Sequence, residues 1–119
     1  MLERQRVVEP CIFCRIVRGE LGTEFVDQSD TAVAFHDLQP AAPTHVLVVP
    51  RRHLGGLRDL RDPVVAADLL MLVNRVAKDL GLTKGGYRVI TNDGPDAGQT
   101  VNHLHFHVLG GQKLPEALA

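Results

Sequence analysis

Apolar residues recur along this chain with two different periods. Between Val65 and Leu80 they fall at helical spacing, as Val65, Leu69, Leu72, Val73, Val76 and Leu80, with Asp68, Arg75, Lys78 and Asp79 opposite. That arrangement predicts one amphipathic helix. Asp62-Pro63 supplies an N-cap followed by proline at the first helical position, and Gly81 suits the residue just past the end. A shorter stripe of Ile12, Ile16 and Val17 marks a second helix over Cys11 to Arg18, closed by Gly19. Elsewhere β-branched and aromatic residues predict strands at Glu24 to Gln28, Thr31 to Asp37, His45 to Val49, Tyr87 to Asn92 and His103 to Leu109. Pro40 and Pro43 make Leu38 to Pro43 a loop, and Asp93 to Gly98 is another. The sum is an α+β fold: a five-stranded antiparallel sheet joined by hairpins, one main helix and a short N-terminal helix.

With 119 residues the chain suits a single domain. We assign residues 1–9 to a flexible lead-in and 10–119 to that domain. Hydrophobic residues make up 45% and charged residues 23%, which excludes disordered and fibrous classes. A formal charge of -1 without any basic block argues against stable nucleic acid binding. No apolar run approaches the roughly 20 residues of a membrane span. Met1 to Pro10 is charged and polar and does not read as a secretory signal, so a cytoplasmic location is expected.

Six histidines and two cysteines carry the chemistry. In His103-Leu104-His105-Phe106-His107-Val108-Leu109, strand alternation places the three imidazoles on one side and Leu104, Phe106 and Val108 in the core. The Cα atoms of the outer two would lie roughly 13 Å apart, so separate tasks are expected rather than one shared ion. A neutral imidazole can attack an electrophile, and its neighbours can stabilise an oxyanion or protonate a leaving group. Phosphorus is the natural target. Asn92 and the run Gly98-Gln99-Thr100, just before the histidines, could cradle phosphate oxygens with backbone N–H groups and side-chain donors. Cys11 and Cys14 are spaced to bring both sulfurs to one side of a turn. Two ligands do not close a structural zinc site, and a thioredoxin-like redox motif would need a preceding strand, so a metal pair or two reduced thiols both stay open.

The heptad resembles the defining motif of the histidine triad (HIT) family. The likeness extends through Cys-Ile-Phe-Cys at 11–14, Ala-Phe-His-Asp at 34–37, Ala-Pro-Thr-His-Val-Leu-Val-Val-Pro at 42–50 and Ala-Gly-Gln-Thr at 97–100. Within the family it is most similar to the small nucleotide-binding, phosphoramidase-like branch. The resemblance implies a hydrolase of purine nucleoside phosphoramidates or related nucleotidyl compounds, with His105 the nucleophile that forms a nucleotidyl-histidine and water releasing the nucleoside monophosphate. His107 would contact the phosphate and His45 support the row. Asn92, Gly98, Gln99 and Thr100 would meet the phosphate and leaving group, Thr100 standing where serine is commoner. Asp37 and Leu38 match the ribose-binding pair, and Ile12, Phe13 and Ile16 either line an apolar base pocket or pack the core.

The same resemblance completes a structural zinc site of Cys11, Cys14, His53 and His103, with no metal in the chemical step, and implies a homodimer. A dinucleoside polyphosphate hydrolase, a nucleotide-binding regulatory module without required turnover, and a zinc that itself activates water are the alternatives. The tail from Lys113 to Ala119 departs from better-known members, since the chain has no Trp. His36 has no assigned task.

Overall fold

A computed structural model of the chain describes residues 11–116. The proposed lead-in, residues 1–9, lies outside them. Five strands form one antiparallel sheet: β1 (Asp27–Gln28), β2 (Ala32–His36), β3 (Thr44–Pro50), β4 (Tyr87–Ile90) and β5 (Phe106–Gly110). Their spatial order is β1-β2-β3-β5-β4, so the last strand slots between β3 and the edge strand β4. Helix α1 covers Ile12–Val17 and helix α2 covers Pro63–Asp79, as the apolar spacing predicts. Among the described residues, no helix is long and apolar enough to cross a membrane.

Strand alternation divides the core into two clusters, one on each face of the sheet. Ala32, Ala34, Val46, Val48, Leu104, Phe106 and Val108 pack against Leu69, Leu72, Val73, Val76 and Ala77 of α2. The small alanines of β2 let the helix approach the sheet closely. On the opposite face Val33, Phe35, Leu47 and Val49 pack against Cys11, Phe13, Cys14 and Ile16 of the α1 region. Burying an apolar side chain of this size stabilises by about 1.5–3 kcal/mol, which sets the register of β2 and β3 because a one-residue slip would exchange the two faces.

The ends of α2 follow local chemistry. Asp62 caps it by accepting from the Val64 N–H at 2.9 Å, and Pro63 fills the position where a missing N–H costs nothing. Gly81 follows the helix at φ +76°, a conformation that would strain any residue with a Cβ. Leu80 departs from the predicted apolar face. It is the C-cap, already outside helical geometry and 36% exposed, and Ala77 and Leu82 close that end of the core instead.

Besides β2, which loses one residue at each end, three predicted strands are shorter than their patterns suggest. The chain bends at Val26, so pairing begins at Asp27 rather than Glu24. β4 stops at Ile90, where Thr91 turns its hydroxyl to the His105 carbonyl at 2.8 Å. The third case concerns the histidines. β5 begins at Phe106, and residues 103–105 are not in the sheet, because their polar groups are held elsewhere. The Leu104 N–H donates to the Leu54 carbonyl at 2.6 Å, and the carbonyls of His103 and His105 accept from side chains.

The carboxylate of Asp68 ties α2 to the β1–β2 turn, accepting from the Ser29 hydroxyl at 2.7 Å and from the Thr31 N–H at 3.1 Å. These bonds hold its pKa below the usual carboxylate value, the Thr31 hydroxyl contributing most. Asp68→Ala should therefore cost about 1–3 kcal/mol in urea unfolding. An unchanged midpoint would show that this tether is incidental.

Candidate active site

Three imidazoles line the α1 face of the sheet near its centre. His107 sits opposite Leu47 in the β3–β5 ladder and so shares that face, and His45 lies at the start of β3. The rings of His45 and His107 are 5.1 Å apart between centroids, and those of His105 and His107 are 5.0 Å apart. Phe13 stands edge-on to His105 at 5.2 Å. His103 lies on the same side, its ring 5.9 Å from that of Phe13, and points to the cysteines; residues 103–105 precede β5, so the shared face is not that of one regular strand.

Backbone partners fix the proton on each ring. A carbonyl can only accept, so the 2.7 Å contact between His105 Nδ1 and the His103 carbonyl requires the proton on Nδ1. In the neutral ring, His105 Nε2 then carries a lone pair. The Ala41 N–H donates to His45 Nδ1 at 3.0 Å, which leaves the proton of neutral His45 on Nε2. That proton is donated to His107 Nδ1 at 2.9 Å, with Asp37 Oδ2 3.5 Å from His45 Nε2. His107 must then hold its own proton on Nε2. The result is one nucleophilic nitrogen beside one N–H donor on adjacent histidines of the row.

Burial keeps the His45 and His107 rings neutral. It pushes His107 down to about 4, with His105 and His45 adding and Asp37 opposing. It also lowers His45, again against Asp37. Near pH 7 both are uncharged, as the relay requires.

The remaining assigned residues divide. Asp37 is half-buried beside His45 and accepts from the Gln39 N–H at 2.9 Å, while Leu38 is 96% exposed. Phe13 and Ile16 are buried in the α1-side core cluster, whereas Ile12 is exposed. Asn92 and Thr100 lie in the loop between β4 and β5. Gly98 adopts φ +84° there. Gln99 is committed within that loop: its amide nitrogen donates to the Gly55 and Val101 carbonyls, and its amide oxygen accepts from the Gly94 N–H at 2.8 Å. It therefore braces the loop, a task its sequence position did not announce. His36 sits exposed at the end of β2.

The second cluster gathers Cys11, Cys14, His53 and His103, whose ligand atoms all lie within 4.8 Å of one another. Cys11 caps α1, and its sulfur accepts from the Cys14 N–H at 3.3 Å. His103 Nε2 donates to the Pro50 carbonyl at 3.0 Å, so its Nδ1 lone pair faces the sulfurs of Cys11 at 3.3 Å and Cys14 at 3.6 Å. His53 Nδ1 lies 3.2 Å from the Cys14 sulfur. Two thiols and two imidazoles at separations near the ligand–ligand edges of a tetrahedral site, about 3.5 Å, fit a closed four-ligand metal ion. The Pro50 carbonyl orients His103 from behind, as outer partners of metal-bound histidines do. Asp37, His45 and His107 form another compact group, but the hydrogen bond between the two imidazoles already joins them.

A model of the HIT domain family matches residues 18–114, most of the chain. A HIT-like protein of Synechococcus elongatus is 41% identical over 89% of this chain and 94% of its own length. The purine nucleoside phosphoramidase of Escherichia coli K12 is 34% identical over 95% of this chain and 97% of its own. Among solved structures, a HIT family hydrolase from Clostridium thermocellum superposes with a TM-score of 0.89 at 38% identity, covering 95% of this chain and all of that one. The chain belongs to the HIT family.

The buried imidazoles make stability depend on pH. Burial pushes His103 down to about 4 as well, with His53 and His105 adding and the Pro50 carbonyl opposing. Between that value and the ordinary 6.5 the unfolded chain binds protons that the folded one refuses, so stability is lost as pH falls through this window. The lowered carboxylates Asp27 and Asp68 act only below 3.8 and do not contribute there. Metal-free protein should accordingly unfold at lower urea at pH 5 than at pH 7. A midpoint that holds or rises would contradict the burial of neutral imidazoles.

Proposed function

We propose that the chain is a nucleotidyl hydrolase that cleaves purine nucleoside phosphoramidates. The observation that carries this reading is the His105 tautomer: its Nδ1–H is bound to the His103 carbonyl, so its Nε2 lone pair is available for attack. Nε2 attacks the α-phosphorus, the P–N bond breaks with its electron pair on nitrogen, which takes a proton from solvent and leaves as the neutral amine, and a nucleotidyl-histidine forms. His107, whose proton is on Nε2, donates to a phosphate oxygen as charge develops. Water then displaces His105 and releases the nucleoside monophosphate. Asp37 and Leu38 hold the ribose, and Asn92, Gly98 and Thr100 surround the phosphate. Gln99 acts by holding that loop in shape. The E. coli relative's name supports the substrate class.

The four-ligand cluster holds structural zinc, which would pin α1 against the entry to β5 and take no part in the bond changes. A homodimer completes the reading. Val64, Leu70 and Met71 of α2 are more than half exposed, and the edge strand β4 exposes Tyr87 and Val89, apolar surface that a second copy would cover.

His105→Ala should reduce AMP release from adenosine 5′-phosphoramidate by about a thousand-fold or more. Rapid acid quenching of the wild-type protein with labelled substrate should trap nucleotide on His105. Undiminished turnover in the variant, with no trapped adduct in the wild type, would defeat the mechanism. Dinucleoside polyphosphates in the same assay should turn over more slowly. Purified protein should contain one zinc per chain by atomic emission, and Cys11→Ser/Cys14→Ser should bind none and melt at lower temperature. A variant that keeps its metal would refute the ligand set.

A further inference from the structure

A cavity of about 670 Å³ opens on the face of the sheet opposite the histidines. Its apolar floor is Pro50, Leu54, Leu60 and Val65, the last three of which pack against the α2-side core. His45 and His107 belong to the α1 side, so the sheet separates the two. The volume falls in the range of small-molecule sites.

The rim is charged and unevenly satisfied. Arg51 is anchored, donating to the Ser29 carbonyl at 3.0 Å and to Gln28 Oε1 at 2.7 Å. Asp59 accepts from the Gly55 N–H at 3.1 Å, and Asp62 is held by its capping bond to Val64. Arg52 and Arg61 also line the cavity, and neither makes a hydrogen bond or ion pair among the described residues. Three guanidiniums thus face two carboxylates across an apolar floor, leaving one positive charge in surplus. That balance suits one negative charge on an apolar body. A nucleotide or polyphosphate would bring two or more charges against Asp59 and Asp62.

We propose that this cavity binds an organic monocarboxylate, its carboxylate held by Arg52 and Arg61 and its apolar body lying over Leu54, Leu60 and Val65. The site is distinct from the one that takes nucleotide. It also shares a wall with it, since the segment 50–55 that borders the cavity accepts from His103, Leu104 and Gln99 through the carbonyls of Pro50, Leu54 and Gly55.

The test is an NMR titration of the full chain with octanoate, following backbone amides. Saturable shifts are expected in residues 51–65, with 1-octanol binding at least about ten-fold more weakly for want of the charge. Arg52→Gln/Arg61→Gln should weaken octanoate by about ten-fold or more, while amides away from the cavity keep their wild-type positions because both side chains are exposed. Shifts that do not saturate, octanol binding as tightly as octanoate, or unchanged affinity in the double variant would each overturn the proposal.

Discussion

The 2.7 Å bond from the His105 ring to the His103 carbonyl organises both ends of the histidine segment. Closing a side chain onto the backbone two residues earlier takes that carbonyl away from sheet pairing. β5 starts one residue after His105, and His103 lies outside the ladder with its ring against Phe13 and the cysteines. The same bond sets the tautomer on which any attack by His105 depends. One local contact thus bears on where the sheet begins and on which nitrogen of His105 is free.

Around it, neutral groups do what charges do at many sites. The main-chain N–H of Ala41 orders the protons of His45 and His107, and the carbonyls of His103 and Pro50 orient His105 and His103. Burial keeps His103 and His107 uncharged near pH 7. A phosphate held by local donors needs no basic surface, in keeping with the chain's formal charge of -1. The Cys/His cluster and the imidazole row also share backbone, because His103 offers its ring to one and its carbonyl to the other. Ordering the first would therefore stiffen the second.

Much of this was legible in the sequence, and what was not has a physical cause. The period of Leu69, Leu72, Val73 and Val76 placed α2 because a buried helical stripe must repeat. Alternation put Leu104, Phe106 and Val108 in the core even though only the last two belong to a strand. The pairing of His53 with the cysteines was reachable only by resemblance, since it depends on a contact across 39 residues. Gln99 as a loop brace, Phe13 against His105 and the Ala41 N–H behind His45 carried no sequence signal. Each acts through a position in space, or through a backbone group that every residue but proline has.

The account rests on proton placement in three rings, and nitrogen-15 NMR of the histidines reads that directly. At neutral pH it predicts His105 protonated on Nδ1, and His45 and His107 protonated on Nε2. A neutral His105 ring carrying its proton on Nε2 would contradict it.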